Sequence, residues 1–391
     1  MLRLRSVPLA GALLLACLTA NGAEFDWPLP SWAPRPIVPA DNPMSADKVA
    51  LGRYLFFDRR LSLTGKVTCA TCHDPARGFT DARRTAIGAT GEPHPRSSMS
   101  LANVAYNPVL TWADPRLTTL EAQALVPMFG RHPVEMGLAG REQQIVQLIE
   151  HDPRYQRMFR AAFGDAAKAF TIPNLVKSIA SFERSLLSFD SPFDRARYGG
   201  DASAMSARAK RGEALFFSRR FACFHCHGGI NMTDSVMHQR LPHAELGFHN
   251  TGLYNLASMP GNGAYPADNT GLAAVTGKPE DMGRFRAPTL RNIALTAPYM
   301  HDGSIATLSA VIDHYAAGGR TLRSGPLRGV GARNPHKSTL IRGFRVTRHE
   351  KVDLIAFLES LTDPRFIGNP EHADPFAAVA PLAPTSQEKT R

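Results

Sequence analysis

Two short stretches decide the fold of this chain: Cys69-Ala70-Thr71-Cys72-His73 and Cys223-Phe224-His225-Cys226-His227. Both have the pattern Cys-x-x-Cys-His, which is typical of covalent attachment of a c-type haem. In such a site the two thiols bond to the haem vinyl groups, and the adjacent imidazole binds the iron. The sequence therefore predicts two haems c. The thioether residues are Cys69, Cys72, Cys223 and Cys226, and the proximal iron ligands are His73 and His227.

Four other uses of paired cysteines fit these stretches less well. A zinc ribbon does not require a histidine directly after each pair. A thioredoxin-type redox site needs one pair in a βαβ setting, which the chain lacks. Structural disulfides rarely join cysteines three residues apart in a repeated form, and an iron–sulfur site would leave both histidines unexplained. Haem attachment is the interpretation that uses every residue of both motifs.

An internal repeat precedes the motifs. Residues 52–60 and 212–220 both read G-x-x-L-F-F-x-R-R, which indicates two related units along the chain. We predict a mostly α fold of two cytochrome c-like haem domains in tandem, with long cofactor-wrapping loops and little β structure. The predicted segments are a signal peptide (1–23), a Pro-rich extended arm (24–43), an N-terminal haem domain (44–195), a C-terminal haem domain (196–366) whose end packs back on the first, and a flexible tail (367–391).

Composition agrees with a globular chain. Of 391 residues, 43% are hydrophobic and 20% are charged, which excludes a disordered or collagen-like protein. The net charge of +11 raises the question of nucleic-acid binding. Aromatic and basic residues are not interleaved as such binding requires, and four haem propionates give the arginines another partner. We expect no nucleic-acid partner.

The N-terminus reads as an export signal. Arg3 and Arg5 precede a short apolar run that ends in small residues. An alternative is a lipobox that ends at Cys17, which would tether the protein through a lipid. No later stretch is long and apolar enough to span a membrane. We therefore expect a periplasmic protein, either free or lipid-anchored at Cys17.

Helical periodicity is strong in six segments, and strand signals are weak throughout. The predicted helices cover 117–129, 141–163, 171–189, 203–217, 304–317 and 349–361. Residues 74–116 and 228–300 are rich in Gly, Pro, Asn and His, as expected of loops around cofactors.

Several further segments match a known family. They are residues 96–104 (RSSMSLANV), 120–125 (LEAQAL), 133–137 (PVEMG), 288–292 (PTLRN) and 297–304 (APYMHDGS). With both haem motifs, the chain from residue 24 onward resembles the bacterial di-haem cytochrome c peroxidases. Within them it is most similar to the MauG-like branch, in particular to the methanobactin-associated di-haem enzymes.

The resemblance implies that Tyr315 is the distal ligand of the second haem, where the peroxidases place Met and MauG places Tyr. Without the resemblance, Tyr315 could simply be a core residue, because it shares a helix face with Leu308 and Ile312. The competing ligands nearby are His314, His301 and Met300. A phenolate stabilises highly oxidised iron, whereas a thioether raises the potential and favours electron transfer.

The first haem should be the peroxide site. Family peroxidases often hold a removable histidine in a glycine loop, but the matching loop here, residues 88–91, has none. His94 lies close to it, although the flanking Pro93 and Pro95 suggest a fixed turn. The resemblance assigns the distal pocket to Glu135 as general acid/base, Gln123 as hydrogen-bond donor and Pro127 as shaping residue.

The resemblance also assigns residues between the haems. Trp112 matches the family's inter-haem tryptophan, although ordinary core burial would also suit it. A Ca²⁺ site would use the carbonyls of Thr296 and Pro298, with Ser97 in place of the usual Asn. MauG has a tryptophan as exit for oxidising equivalents just before its second motif, where this chain has Phe221, so any route to a partner differs.

Three functions remain open from the sequence. The first is a MauG-like enzyme that reacts with hydrogen peroxide, stores two oxidising equivalents over both haems and oxidises a partner protein. The resemblance suggests a copper-binding exported partner whose tryptophan becomes kynurenine. The second is a cytochrome c peroxidase that takes electrons from a small donor protein. The third is a plain electron-transfer cytochrome.

Overall fold

Helices dominate the computed structural model, which describes residues 25–164, 166–259 and 263–377. The helices are α1 (Ala46–Phe57), α2 (Cys69–Cys72), α3 (Leu120–Phe129), α4 (Glu142–His151), α5 (Pro153–Phe163), α6 (Ala166–Ala169), α7 (Ile172–Arg184), α8 (Pro192–Arg197), α9 (Ala207–Phe216), α10 (Ala273–Thr276), α11 (Leu308–Ala316), α12 (Arg348–Glu359) and α13 (Pro364–Ile367). The strands are β1 (Phe248–His249), β2 (Phe285–Arg286), β3 (Thr321–Leu322) and β4 (Gly329–Val330). They form two antiparallel pairs, β1–β2 and β3–β4. The prediction of a mostly α fold with little β is confirmed.

The repeated glycine explains why the two halves look alike. Helix α1 crosses α7, and helix α9 crosses α12. A Cβ atom on Gly52 would lie 1.9 Å from the Ser178 carbonyl oxygen, and one on Gly212 would lie 1.9 Å from that of Asp353. Each glycine therefore lets two helices approach at a distance that no side chain allows. The repeat encodes one close helix crossing, which is used twice.

Each helix pair has its own apolar cluster. The first cluster runs from Leu51 to Leu186 along the chain and also includes Phe366. The second runs from Phe193 to Leu361. Cys69 packs against the first cluster and Cys223 against the second, so each motif lies at the border of one core.

The segment after α13 packs onto the first cluster. The ring of His372 lies 5.9 Å from that of Phe79, and Arg53 forms an ion pair with Glu371. Within 367–377, which we expected to be part of a flexible tail, His372 is therefore buried and held by these contacts. The contacts come from side chains distant in sequence, so the Pro/Ala-rich composition gave no sign of them. Residues 378–391 lie outside the described part.

The N-terminal arm is extended, but it is packed as well. Trp32 stacks on Tyr198 with 4.1 Å between ring centroids and meets Phe189 edge-on. Ala33 beside it is buried. An aromatic side chain thus anchors an extended segment that has no helix or strand. The predicted signal peptide and Cys17 lie outside the described residues.

Helix boundaries differ from the predicted ones for local reasons. The single helix expected over 141–163 is broken, because Asp152 caps α5 through the amide of Arg154 and Pro153 occupies its first turn. Helices α3 and α11 begin later than predicted because Thr119 and Thr307 act as N-caps. None of the helices in the three described ranges is long and apolar enough to cross a bilayer.

Candidate active site

The first cavity surrounds the first Cys-x-x-Cys-His motif. Helix α2 contributes the two thiols, α3 contributes four residues, and the loop after α3 contributes a carboxylate. Its lining includes Cys69, Cys72, His73, Gln123, Pro127 and Glu135. The three residues predicted for the distal pocket therefore lie in the same cavity as the motif. The cavity measures about 50 Å³.

His73 is oriented as an iron ligand requires. Its amide bonds to the Cys69 carbonyl over 2.9 Å, and its Nδ1 lies 3.0 Å from the Phe79 carbonyl oxygen. That bond fixes the proton on Nδ1 and leaves Nε2 as a free donor atom for a metal. Phe79 has a φ of +62°, which turns its backbone around the ring. Burial lowers the pKa of His73, so the neutral ligand form is favoured.

The second motif repeats this arrangement. The His227 amide bonds to the Cys223 carbonyl over 3.0 Å, and Met232 has a φ of +50° in the loop that follows. Burial lowers the pKa of His227 as well. Its Nδ1 is buried and has no hydrogen-bond partner among the described residues. Both histidines are neutral imidazoles beside a pair of thiols.

Two carboxyl groups make the first cavity unusual. Burial raises the pKa of Glu135 to about 7, which is suitable for a group that exchanges protons near neutral pH. Glu183, which the sequence analysis missed, also lines the cavity. Its Oε2 is buried without a partner in the described ranges, and burial raises its pKa to about 8. No motif pointed to Glu183, since it lies on a helix more than 100 residues after Cys69.

The second cavity is larger, about 420 Å³, and surrounds the second motif. Its lining includes Cys223, Cys226, His227, Met300, His301 and Tyr315. Three of the candidate ligands, Met300, His301 and Tyr315, therefore face this space, whereas the His314 side chain is not part of its wall. Burial raises the pKa of the Tyr315 phenol, and the nearby cysteine thiols add to that effect. The phenol therefore needs a cation beside it to lose its proton.

Helices α3 and α11 occupy corresponding places in the two cavities. Thr119 caps α3 by accepting from the Ala122 amide, and Thr307 caps α11 by accepting from the Ala310 amide. The eighth residue after the cap is Pro127 in one helix and Tyr315 in the other. The same position is thus apolar in the first cavity and carries a phenol in the second.

Arg286 is a second residue that sequence reasoning missed. It lines the second cavity, and its Nη1 is buried without a partner in the described part of the chain. Burial lowers its pKa to about 10. A buried guanidinium with a free donor fits a carboxylate such as a haem propionate. The thiols, the neutral imidazoles and this cation together fit covalently bound haem.

One cluster beside the second cavity resembles a metal site. The Cys226 thiol, Asp234 and His249 lie together, with 2.5 Å between Asp234 Oδ2 and His249 Nε2. Because Cys226 belongs to the haem-attachment motif, its sulfur is committed to a thioether when haem is bound. The cluster is therefore an ion pair at the edge of the cavity.

Trp112 lies in the wall of the second cavity. Its indole Nε1–H donates to the Ser97 carbonyl over 2.8 Å, and the Ser97 amide donates to the His301 carbonyl over 2.8 Å. The Trp112 carbonyl accepts from the Arg286 amide. These bonds hold the indole rigidly. They also occupy the Ser97 amide, and the Ser97 hydroxyl remains available for the predicted calcium.

A helical chain with two such motifs, each in its own cavity, defines a di-haem c-type oxidoreductase. The model of the family described as di-haem cytochrome c peroxidase matches residues 46–203. The cytochrome-c peroxidase IdrP1 of Denitromonas iodatirespirans is 36% identical, over 94% of this chain and 96% of its own. MauG, a methylamine utilization protein of Methylorubrum extorquens, is 35% identical over 88% of this chain and 84% of its own.

A solved structure agrees with these relatives. A MauG-like protein associated with microbial copper homeostasis superposes with a TM-score of 0.86 at 46% identity, covering 90% of this chain and 99% of that one. The chain belongs to the di-haem cytochrome c peroxidase and MauG family. It is a haem-dependent oxidoreductase that acts with peroxide, and the family resemblance drawn from the sequence is confirmed.

Proposed function

We propose that this protein uses hydrogen peroxide to oxidise a tryptophan of an exported, copper-binding partner protein to kynurenine. The observation that carries the proposal is Tyr315, which lines the second cavity with Cys223 and His227. An oxygen donor there favours storage of oxidising equivalents over simple electron transfer. The 46% identity to the MauG-like protein associated with copper homeostasis supports the nature of the partner.

Residues of the first cavity handle the protons of peroxide. When bound, haem supplies an iron that exchanges electrons with peroxide and with the second site. Glu135 accepts a proton from one peroxide oxygen and returns it to the other, which leaves as water. The Gln123 amide would donate a hydrogen bond to a peroxide oxygen, and Pro127 keeps that side of the cavity free of competing donors. Each peroxide takes up two electrons and two protons and becomes two waters.

Residues of the second cavity would stabilise the stored oxidising equivalents. Tyr315 would hold the iron as a phenolate, because a cation would compensate the burial that otherwise keeps the phenol protonated. Arg286 would hold a propionate, and Trp112 would offer a polarizable ring in the wall of the cavity. Phe221 is buried against Phe344, with ring centroids 4.6 Å apart. The route by which oxidising equivalents reach the partner protein therefore uses other residues.

The proposed reaction on the partner balances as follows. Two molecules of hydrogen peroxide oxidise one tryptophan side chain to N-formylkynurenine, which gains two oxygen atoms, and two waters are released. Hydrolysis of the formyl group then consumes one water and releases formate, which leaves kynurenine. The indole ring is the reductant and peroxide the oxidant, so no further co-reactant is needed.

A second candidate is a cytochrome c peroxidase, which would reduce the same peroxide with two electrons from a small donor protein. The observation that favours it is the 36% identity to a cytochrome-c peroxidase over nearly the whole chain. The two functions differ in the source of electrons, a partner side chain in one and a donor haem in the other. The proton chemistry of Glu135 is common to both.

Three accompanying features belong to the proposal. Residues 1–23 direct export to the periplasm, with Cys17 as an alternative lipid anchor. Calcium binds the carbonyls of Thr296 and Pro298 together with the Ser97 hydroxyl. All three ligands are neutral, so the affinity should be low, and a chelator should remove the ion without releasing haem.

Mass spectrometry of the partner tests the proposal. The holoprotein is mixed with the exported copper-binding protein encoded nearest to its gene, and peroxide is added. We expect a tryptophan of that protein to become kynurenine with the wild type and to stay unchanged with Tyr315→Phe. Tyr198→Phe, a tyrosine on the surface beside Trp32, is the matched control and should behave as the wild type. An unmodified partner together with rapid oxidation of reduced cytochrome c would establish the peroxidase instead.

A further inference from the structure

His94 lies in the first cavity beside the proposed acid/base group. Its Nε2 is 3.8 Å from Glu135 Oε1, and the two side chains are 28% and 26% exposed. That distance is closed by a small side-chain rotation or by one bridging water. Both side chains thus face the cavity and solvent at once, which is the position that a proton route from the interior to bulk water requires.

The other ring nitrogen of His94 has backbone partners for either protonation state. Nδ1 lies 3.1 Å from the Arg96 amide nitrogen and 3.2 Å from the Arg96 carbonyl oxygen. A bare Nδ1 accepts a bond from the amide, and a protonated Nδ1 donates to the carbonyl. The ring can therefore gain or lose this proton without leaving a polar atom unsatisfied, a property that a fixed structural histidine does not need.

The turn that carries His94 is held in place at both ends. The His94 amide donates to the Ala86 carbonyl over 2.8 Å. Asn269, which is buried, donates to the Pro95 carbonyl over 3.1 Å and accepts from Arg96 Nε over 3.0 Å. These bonds tie the turn to a segment more than 170 residues away. The position of the ring is thus determined by tertiary contacts.

The segment of residues 86–94, which ends at His94, also holds Glu135. The Ala89 amide donates to the Glu135 carbonyl over 2.6 Å. A Cβ on Gly88 would lie 1.9 Å from the Val134 carbonyl oxygen, so glycine is needed for this close approach. Because one segment carries His94 and binds the backbone of Glu135, its backbone bonds hold the two residues side by side.

We infer that His94 relays protons between Glu135 and solvent during the reaction with peroxide. Glu135 passes the proton it has taken to Nε2 of His94, and the partly exposed ring then releases a proton to water; the reverse order recharges the carboxyl. Only protons move, and no bond other than N–H and O–H forms or breaks. The inference rests on the proposed function only for the acid/base role of Glu135.

Three other ionisable groups face the same space. They are His73, Glu92 and Glu183. His73 uses its Nδ1 on Phe79, and the Glu183 carboxyl is buried away from solvent. Glu92 is exposed, and its carboxylate accepts from the Val134 amide over 3.2 Å. Glu92 is therefore the competing relay that an experiment must separate from His94.

Cyanide binding tests the relay without turnover. Hydrogen cyanide must give its proton to the protein before cyanide binds the ferric haem, and the association rate is read from the visible spectrum of the full-length holoprotein. We expect Glu135→Gln to slow association, and His94→Gln to slow it by about 10–100-fold with an unchanged resting spectrum. The double variant should be no slower than Glu135→Gln alone, because both residues serve one route. His151→Gln, an exposed histidine at the end of α4, should match the wild type.

Several results would overturn the inference. One is an unchanged rate in His94→Gln, and another is a double variant whose two effects simply add. A resting spectrum that becomes high-spin in His94→Gln would make His94 an iron ligand. A slower cyanide association in Glu92→Gln but not in His94→Gln would transfer the role to Glu92.

Cyanide binding involves neither the partner nor Tyr315, so failure of partner oxidation leaves this test intact. An unaffected Glu135→Gln would remove the acid/base role itself.

Discussion

The two cavities of this protein share a scaffold and differ in their charges. Each is built from a glycine helix crossing, a Cys-x-x-Cys-His turn and a helix capped by threonine. The first contains two carboxyl groups whose pKa values are raised by burial, Glu135 and Glu183. The second contains the guanidinium of Arg286, whose Nη1 has no partner among the described residues, and a phenol, Tyr315. One folding unit thus carries buried acids in one copy and a buried cation with a phenol in the other.

Corresponding positions make this contrast concrete. Glu183 lies five residues after Ser178, the residue that Gly52 contacts, and Leu358 lies five residues after Asp353, the residue that Gly212 contacts. Both side chains line their own cavity. An acid in one half and an aliphatic chain in the other therefore occupy equivalent places. A few substitutions on an unchanged backbone are enough to separate the two chemistries.

The largest expected effect comes from removing the attachment thiols. Replacing Cys69 and Cys72 by alanine should eliminate covalent haem from the first cavity alone, and replacing Cys223 and Cys226 should do the same for the second, because each thioether pair serves one site. Intact-mass spectrometry and haem quantification should give one haem per chain in either variant. Bound zinc, or haem that acid extraction removes from the wild type, would contradict the interpretation of both motifs as sites of covalent haem attachment.

Tyr315→Phe should erase the main difference in coordination between the cavities. We expect the wild-type ferric protein to show one high-spin haem on His73 and one low-spin haem on His227 and Tyr315, and the variant to show two high-spin haems. Electron paramagnetic resonance measures this directly. If the low-spin signal survives, Met300 or His301 is the ligand, since both line the same cavity.

Glu135→Gln should impair only the first cavity. Loss of a positioned acid/base group should slow formation of the peroxide-oxidised state by about 10²–10⁴-fold. The carboxylate form must accept the proton, and its pKa is raised to about 7. The wild-type rate should therefore rise with pH through about 7 and the variant rate should not, as measured by stopped-flow absorbance. Glu142→Gln, in the first turn of α4, is the control, and a rise of equal size in Glu135→Gln would contradict the assignment.

Smaller effects should follow from filling each helix crossing. Gly52→Ala and Gly212→Ala each place a Cβ 1.9 Å from a carbonyl oxygen, so the helices must separate. We expect each to lower the free energy of unfolding by about 1–3 kcal/mol and to broaden the spectrum of the haem in its own half. Gly368→Ala, whose Cβ would lie 3.2 Å from the nearest oxygen, is the control in thermal melts. Equal spectral changes at both haems would show that the halves are not independent.

Much of the site could be predicted from the sequence, because the information is local. The cysteine pairs and their histidines are contiguous, and both threonine caps lie beside the helices they begin. The family resemblance then assigned Gln123, Pro127 and Glu135, which the structure brings to one cavity. It also favoured Tyr315 over His314, His301 and Met300 as the ligand of the second haem, and of these four residues all but His314 line the second cavity.

Tertiary structure alone decided the groups that tune each cavity. Glu183, Arg286 and His94 reach their cavities from segments far along the chain or by contacts with such segments. No spacing rule relates them to the motifs, and each carries an ordinary side chain that is usually found at the surface. Burial is the largest cause of the pKa shift of each of the three groups. Burial of these groups exists only after distant parts of the chain have packed together. Desolvation depends on all the atoms that surround a side chain and not on its neighbours in the sequence.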